Sequence, residues 1–136
     1  MKFSSFLILP FVAASVSAVS VRYSTVYDDP TYSTLNVACS DGKNGLYTKG
    51  YPTLGSLPKF PYVGGFTVST WNSTACGNCY KLNYGGRSVA VTAVDATGDG
   101  FVISKTAMDA LTGGKAYELG RVTVSFAQTN PKDCGF

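Results

Sequence analysis

Apolar residues fill both alternating sets of positions over residues 89–94, a pattern typical of a β-strand that is covered on both faces. The strand is expected to end at Asp95, because residues 96–100 are small and polar and predict a loop. A carboxylate at this point is held by a central strand and still reaches the surface. On spacing alone, the favoured role for Asp95 is to cap a turn by accepting backbone hydrogen bonds.

Local signals predict further elements on both sides of this strand. Gly85 and Gly86 separate two strand-like runs, residues 79–84 and 87–94, which predicts a β-hairpin. The other predicted elements are strands over residues 19–27, 66–68, 101–103 and 120–128, a short helix over residues 30–38 capped by Asp29, and a helix over residues 105–112 between Ser104 and Gly113.

This set of elements points to a single-domain, mainly β fold with short helices, built as a closed β-barrel with irregular loops. Residues 39–65 mix glycines and prolines with aliphatic and aromatic residues, which predicts an ordered, irregular layer rather than a disordered segment. Trp71 is the only tryptophan, and we expect it in the core beside Cys76. The alternative is that its ring is a platform for a sugar.

Residues 1–18 have the features of a secretory signal peptide: the positive charge of Lys2, an apolar stretch, and small residues leading to Ala18. Cleavage is predicted after Ala18, which leaves residues 19–136 as one secreted or cell-wall-associated domain. The apolar stretch is too short to span a membrane, and no membrane partner is expected.

Four cysteines lie in the predicted domain, and an even number in a secreted chain predicts disulfides. Three pairings are open. Two long-range bridges that tie the ends of the chain to its middle are favoured over a redox pair in the C-x-x-C motif. A zinc site would normally use a second C-x-x-C, so neither a metal nor a cofactor is expected. The cysteines are Cys39, Cys76, Cys79 and Cys134.

Composition excludes several classes of function. The chain has no histidine, which removes Ser-His-Asp and Cys-His nucleophilic sites. Its 11 basic and 8 acidic residues, net +3, are scattered rather than clustered, which argues against nucleic-acid binding. Low charge with many aromatic residues fits a domain that binds a neutral ligand. It also fits a surface-active protein that self-assembles through an exposed apolar patch.

A glycoside hydrolase needs two carboxyl groups that flank the scissile bond. Nothing in the spacing of the acids places two of them on opposite sides of a substrate. A sugar-binding groove needs only a few polar groups and flat aromatic faces. The credible acids are Asp28, Asp29, Asp95 and Asp99; the binding candidates beside Asp95 are Tyr23, Thr25 and Tyr27; and Asn72 begins an Asn-Ser-Thr sequon for N-glycosylation.

A set of motifs across residues 19–136 closely resembles the cerato-platanin family of small secreted fungal proteins. The motifs are YDD at 27–29, CSDG at 39–42, NGL at 44–46, FPYVGG at 60–65, WNS at 71–73, CGNC at 76–79, VD at 94–95, GF at 100–101, LTGG at 111–114, LGR at 119–121 and the closing Cys134.

The resemblance implies a six-stranded double-psi β-barrel, like that of the expansin catalytic domain, with disulfides Cys39–Cys76 and Cys79–Cys134. It implies a secreted protein that binds chitin or N-acetylglucosamine oligomers, and other wall glycans, in a shallow groove. Members loosen polysaccharide networks without clear hydrolysis, and act on plants as elicitors or virulence factors through a host receptor that the resemblance does not identify. Some members self-assemble at interfaces.

Asp95 matches the aspartate that this family and the expansins place at the groove. Expansins carry His-Phe-Asp there, whereas this chain has Ala93-Val94-Asp95. The missing histidine argues against bond hydrolysis. The resemblance therefore implies a non-catalytic glycan-binding protein, with a carbohydrate site at Asp95, Tyr23, Thr25 and Tyr27. The alternatives are a weak glycoside hydrolase that uses Asp95 and a self-assembling, surface-active wall protein.

Overall fold

The computed structural model describes residues 17–136, so most of the predicted signal peptide lies outside the described residues. The strands are β1 (Ser17–Tyr23), β2 (Val63–Phe66), β3 (Cys79–Tyr84), β4 (Arg87–Ala96), β5 (Phe101–Ile103) and β6 (Arg121–Thr129), and the α-helices are α1 (Lys105–Thr112) and α2 (Ala116–Leu119). Short 3₁₀ helices cover Thr25–Asp28, Thr34–Asn36, Leu54–Ser56 and Pro131–Cys134.

The six strands close into a barrel in the order β1-β5-β2-β4-β3-β6. β1 pairs with β5 and β2 with β4 in parallel, while the other four neighbouring pairs are antiparallel. Closure leaves no free sheet edge. The predicted mainly β, six-stranded barrel is confirmed. Among residues 17–136, none of the helices has the length and apolar composition to cross a membrane.

One hydrophobic core fills the barrel. Phe66 and Phe101 stack with ring centroids 4.0 Å apart, and the rings of Tyr80 and Phe126 meet them edge-on. Helix α1 packs against this core through its buried stripe of Ala107, Met108 and Leu111. This stripe is the one that helical spacing predicts.

A second core lies outside the barrel, under the irregular layer. Leu46, Leu54 and Leu57 from that layer pack with Val63 of β2 and Val94 of β4. Residues 89, 91 and 93 of β4 belong to the barrel core instead. β4 is therefore covered on both faces toward its C-terminal end, as its apolar pattern predicts, and the irregular layer is ordered by packing.

The hairpin and the main helix form where local signals place them. β3 and β4 pair in antiparallel register up to Tyr84 and Arg87, and both intervening glycines have positive φ. The Ser104 hydroxyl accepts a hydrogen bond from the Ala107 N–H at 3.0 Å, and Gly113 ends α1 with a φ of 71°. Positive φ costs glycine little, which explains both the turn and the terminator.

Three predicted elements differ from the structure. The first strand ends at Tyr23 rather than at residue 27, because the Ser24 hydroxyl caps a 3₁₀ helix. The predicted helix over residues 30–38 is only the 3₁₀ helix Thr34–Asn36, capped by Ser33, while Asp29 accepts hydrogen bonds from Thr31. The predicted strand at residues 66–68 is β2, which starts at Val63 and ends at Phe66.

Candidate functional site

Asp95 is the centre of a hydrogen-bond network at the C-terminal end of β4. Its Oδ2 accepts a hydrogen bond from the Tyr27 hydroxyl at 2.7 Å. Its Oδ1 accepts from the backbone N–H groups of Ala38 and Ala96, both at 2.9 Å. One carboxylate thus holds together the strand end, the 3₁₀ helix that carries Tyr27, and the segment that starts at Ala38. Asp95 accepts backbone N–H groups, as the turn-capping prediction expects, but Ala38 is 57 positions away, so the carboxylate joins distant segments rather than only its own turn.

Tyr27 is the buried partner of this carboxylate. The residue is 6% exposed and belongs to the second core. Burial raises the pKa of the Tyr27 hydroxyl far above its usual range, and the hydrogen bond to Asp95 raises it further. Tyr27 therefore stays a neutral O–H donor and fixes the orientation of the carboxylate.

The network leaves Asp95 little spare capacity. An ionised carboxylate has about four lone-pair sites, and three of them are occupied by Tyr27, Ala38 and Ala96. The remaining site is on Oδ2, so the carboxylate has room for one further donor, such as a sugar hydroxyl or an acetamide N–H. Asp95 is chiefly a positioning group with one acceptor site to offer.

The two other predicted binding residues are not drawn into this network. Tyr23 ends β1 and packs against the barrel core, with the Lys105 ammonium 6.0 Å from its ring centroid. Thr25 is exposed, and within residues 17–136 neither its hydroxyl nor that of Tyr23 makes a side-chain hydrogen bond. Of the three predicted neighbours, only Tyr27 contacts Asp95.

Trp71 lies on the surface, so the prediction that it is in the core is wrong. The residue is 59% exposed, and its indole N–H donates a hydrogen bond to Asp41 Oδ1 at 2.7 Å. This hydrogen bond satisfies the one polar group of the indole and fixes the ring. Trp71 presents a flat aromatic face to solvent, which is the alternative that the sequence left open.

The backbone beneath Trp71 is built to hold the ring in place. Gly42 has a φ of 82°, and a Cβ at that position would lie 3.2 Å from Trp71 Cζ2. Asn72 also has positive φ, and its side-chain oxygen and backbone carbonyl accept hydrogen bonds from Asn44, each at 3.0 Å. Asn72 is half-buried as a result, and glycosylation of its sequon stays a prediction.

One short segment connects Asp95 to Trp71. Ala38 donates to Asp95 and Asp41 accepts from Trp71, and these two residues are three positions apart, which spans at most about 11 Å. Tyr47, 46% exposed, donates its backbone N–H to Ser40 in the same segment at 3.0 Å. We call this surface the Asp95–Trp71 face; it comprises Asp95, residues 38–41, Tyr47 and Trp71.

Two disulfides fix the surroundings. Cys39–Cys76 joins the segment of residues 38–41 to the loop that follows Trp71. Cys79–Cys134 joins the start of β3 to the C-terminal 3₁₀ helix. All four cysteines are buried, and the pairing is the one that the family resemblance implies. Within residues 17–136, no group of three acidic or cysteine side chains could hold a metal ion.

The other candidate acids have structural partners elsewhere. Asp28 accepts three hydrogen bonds from the first turn of α1, from Lys105 N–H and from both Thr106 donors, at 2.7 to 3.0 Å. Asp99 pairs with Arg121 at 2.9 Å on an exposed surface. Within the described residues, Asp95 hydrogen-bonds to no second carboxyl group.

Three carboxyl groups have pKa values shifted in the direction opposite to that of a catalytic acid. The Trp71 indole N–H holds the pKa of Asp41 below its ordinary value, and the Thr31 hydroxyl does the same for Asp29. The Lys105 ammonium lowers the pKa of Asp109. A glycosidase acid needs a raised pKa, so these three groups are unsuited to that role.

Comparison with known proteins gives a consistent result. A family model described as Cerato-platanin matches residues 19–136. The heat-stable 19 kDa antigen of Coccidioides immitis is 47% identical over 130 residues, which covers 93% of this chain and 89% of the antigen. Cerato-platanin of Ceratocystis fimbriata f. sp. platani is 40% identical over 137 residues, which covers 98% of this chain and 96% of that protein.

Solved structures agree with the sequence matches. Cerato-platanin 3 from M. perniciosa has a TM-score of 0.84 and 42% identity, and the alignment covers 88% of this chain and 100% of that one. An expansin from Clavibacter michiganensis has a TM-score of 0.59 and 17% identity over 85% of this chain and 50% of its own, which shows a shared fold. A variant of that expansin was solved in complex with cellohexaose.

Proposed function

The chain belongs to the cerato-platanin family, and from this membership we propose that it is a secreted, non-catalytic protein that binds chitin or N-acetylglucosamine oligomers on the Asp95–Trp71 face. The observation that carries the proposal is the fixed, exposed Trp71 ring at one end of a short segment and the oriented Asp95 carboxylate at the other. A sugar chain can place a flat ring face on Trp71 and donate a hydrogen bond from a hydroxyl or acetamide N–H to Asp95.

The expansin neighbour supports an oligosaccharide ligand by analogy of fold. A variant of that protein was solved in complex with cellohexaose, and this chain matches about half of it, so the analogy is one of fold. Which glycan this chain takes is part of the proposal, and other wall glycans are the nearest alternatives. Both disulfides fit an extracellular location, because such bridges persist in oxidising compartments.

Membership of the family supports a role without hydrolysis. Asp95 accepts three donors, so most of its hydrogen-bonding capacity serves to hold the face together. Binding without cleavage would let the protein loosen contacts between polysaccharide chains. The roles of elicitor or virulence effector rest on the family alone; one solved member is described as a fungal elicitor.

The test uses two aromatic variants of matched chemistry. Trp71→Ala removes the fixed ring, whereas Tyr117→Ala removes a ring that is 79% exposed on α2, away from the face. In calorimetric titration with N-acetylglucosamine oligomers, we expect Trp71→Ala to weaken binding about tenfold, equivalent to about 1.4 kcal/mol, and Tyr117→Ala to leave it unchanged. Equal affinities for wild type and Trp71→Ala would reject the face as the binding site.

Two companion assays separate the alternatives. If the protein releases reducing ends from chitin and the Asp95→Asn variant does not, the protein is a glycosidase rather than a non-catalytic binding protein. Films that form at the air–water interface in proportion to protein concentration and ignore added oligosaccharide, together with no measurable oligosaccharide binding, would establish the surface-active reading. We expect that no reducing ends are released and that oligosaccharide binding is saturable.

A further inference from the structure

A cleft at the other end of β4 brings together three lysines. Its floor is the outer face of β4 at Ser88 and Ala90, whose side chains are small. Lys81, on the neighbouring strand β3, lies directly opposite Ala90 in the register. The cleft has a volume of about 320 Å³, at the lower end of the range for ligand pockets, and Lys59 and Lys132 also line it.

The positive charge of this cleft is not neutralised from within. The two ion pairs of residues 17–136 are Lys105–Asp109 and Arg121–Asp99, so none of the three cleft lysines has a carboxylate within 4.0 Å. Asp133 is the one acid among the lining residues, and its Oδ2 already accepts a hydrogen bond from the Thr129 hydroxyl at 2.5 Å. Three cations against one anion in a concave surface concentrate a positive potential there.

The walls of the cleft are fixed before any ligand arrives. Lys132 and Asp133 belong to the 3₁₀ helix Pro131–Cys134, which the Cys79–Cys134 disulfide ties to β3. Gly135 packs against the opposite wall, where a Cβ would lie 2.6 Å from Pro58 Cβ and 3.2 Å from Lys59 Cγ. Contact between the two walls holds the backbone of Lys59 and of Lys132 on either side of one space, while the lysine side chains themselves are exposed.

The backbone at Lys59 has an uncommon conformation. Its φ is 60°, a conformation that few residues other than glycine adopt. Strained backbone of this kind is costly, and it clusters at binding sites. Lys59 lines the cleft in this conformation.

The groove continues onto an aromatic residue. An adjoining space of about 310 Å³ shares the floor of Ser88 to Ala90 with the lysine cleft and adds Tyr62 and Ala110. Lysines beside an aromatic ring and a small apolar floor suit a ligand that has both a ring face and separate negative charges. Lysine is a compact charge with three donors, which matches single carboxylates spaced along a chain better than it matches two-point recognition by arginine.

We propose that this lysine cleft is a second, separate site, which binds a carboxylated oligosaccharide of the polyuronate type. Carboxylates of successive sugars pair with Lys59, Lys81 and Lys132, and a sugar ring lies on Tyr62. Val89 to Asp95 is six residues of extended strand, about 20 Å, so the cleft and the Asp95–Trp71 face take ligands independently. This site does not depend on the function proposed for that face.

The test is a calorimetric titration of the disulfide-bonded protein with a short oligogalacturonate, with the fully methyl-esterified oligomer as the neutral control. We expect saturable binding of the acid form only. Raising the salt from about 0.1 M to about 1 M, which shortens the Debye length from about 10 Å to about 3 Å, should abolish most of it. Equal binding of the esterified oligomer would overturn the proposal.

Variants locate the site. Lys81→Gln and Lys132→Gln should each weaken binding about two- to fivefold, the range for exposed ion pairs, and the double variant more. Lys115→Gln, at an exposed lysine near α2, and Trp71→Ala should have no effect. Equal losses in Lys115→Gln and Lys132→Gln would reject the cleft. Displacement by inorganic sulfate at the same concentration as the sugar would also overturn the proposal, because it would reduce the cleft to a general anion site.

Discussion

At its C-terminal end, β4 carries Asp95, whose carboxylate is held by three donors, whereas at its N-terminal end Ser88 and Ala90 form the floor of a cleft whose lysines lack ion-pair partners. The first end is internally satisfied and offers a fixed surface with one spare acceptor. The second leaves charges for a ligand to neutralise. A side chain such as Asp95, which is already hydrogen-bonded within the protein, holds a site in place. Charged side chains without an ion-pair partner, such as the cleft lysines, determine which ligand a site binds.

Each of the two sites is also tied to a different disulfide, and removing these bridges gives the largest expected effects. The bridges close loops with sequence separations of 37 and 55 residues, for which the chain-entropy model predicts about 4 kcal/mol each. We expect Cys39→Ala/Cys76→Ala and Cys79→Ala/Cys134→Ala to lower the free energy of unfolding by about this amount, measured by urea denaturation.

Each double variant should mainly weaken the binding of one of the two ligands. The first should weaken binding of N-acetylglucosamine oligomers, because Cys39 lies within the segment of residues 38–41. The second should weaken binding of the carboxylated oligomer, because Cys134 anchors the wall that carries Lys132. Equal losses of affinity for both ligands in both variants would contradict the independence of the two sites.

Asp95→Ala comes next in size. The substitution leaves the buried Tyr27 hydroxyl and the Ala38 N–H without their acceptor, and a stranded buried donor costs about 1–3 kcal/mol. The matched control is Asp99→Ala, which removes an exposed ion pair and should cost at most about 1 kcal/mol. Chemical denaturation compares them, and equal stabilities of the two variants would contradict a structural role for Asp95.

Trp71→Phe separates the ring from its hydrogen bond. The variant keeps an aromatic face but loses the N–H that donates to Asp41, so the ring is less firmly held. We expect a weaker loss of oligosaccharide affinity than in Trp71→Ala, and a change in stability within about 0.5 kcal/mol because the residue is mostly exposed. A loss as large as that of Trp71→Ala would mean that the hydrogen bond matters more than the ring face.

The smallest effect concerns pH. The Trp71 indole N–H lowers the pKa of Asp41 in the folded state, so this contact stabilises the fold above the ordinary pKa of an aspartate and is lost as the pH falls through the lowered value. NMR titration of the Asp41 carboxyl should show the lowered pKa in wild type and a return toward the ordinary value in Trp71→Phe. An unchanged pKa in the variant would exclude the indole as its cause.

The parts of the fold that sequence predicts are those set by local signals. Gly85 and Gly86 define the hairpin, and Ser104 and Gly113 bound α1, because each acts on backbone within a few residues. The start of β2 at Val63 differs from the strand that local signals predict, because Gly64 is required by a distant contact: a Cβ there would lie 2.5 Å from the Val102 carbonyl oxygen of β5. Nothing near Gly64 in sequence signals that contact.

The site was predictable only in part, for the same reason. Apolar patterning located Asp95 at a strand end, and the family resemblance singled it out. The exposed position of Trp71 depends on Asp41, 30 residues away, and on Gly42 beneath the ring. The lysine cleft joins residues that are 22 to 73 positions apart (Lys59, Lys81 and Lys132), so scattered charges in the sequence become one cluster only in the fold.

The most direct test of the central claim is an amide-shift titration of the isotope-labelled protein with N-acetylglucosamine oligomers. We predict saturable shifts at the Trp71 indole N–H and at the backbone amides of Ala38 and Asp95, with none at Ser88 or Ala90. Shifts that centre on Ser88 and Ala90, or no shifts at millimolar oligomer, would contradict the assignment of glycan binding to the Asp95–Trp71 face.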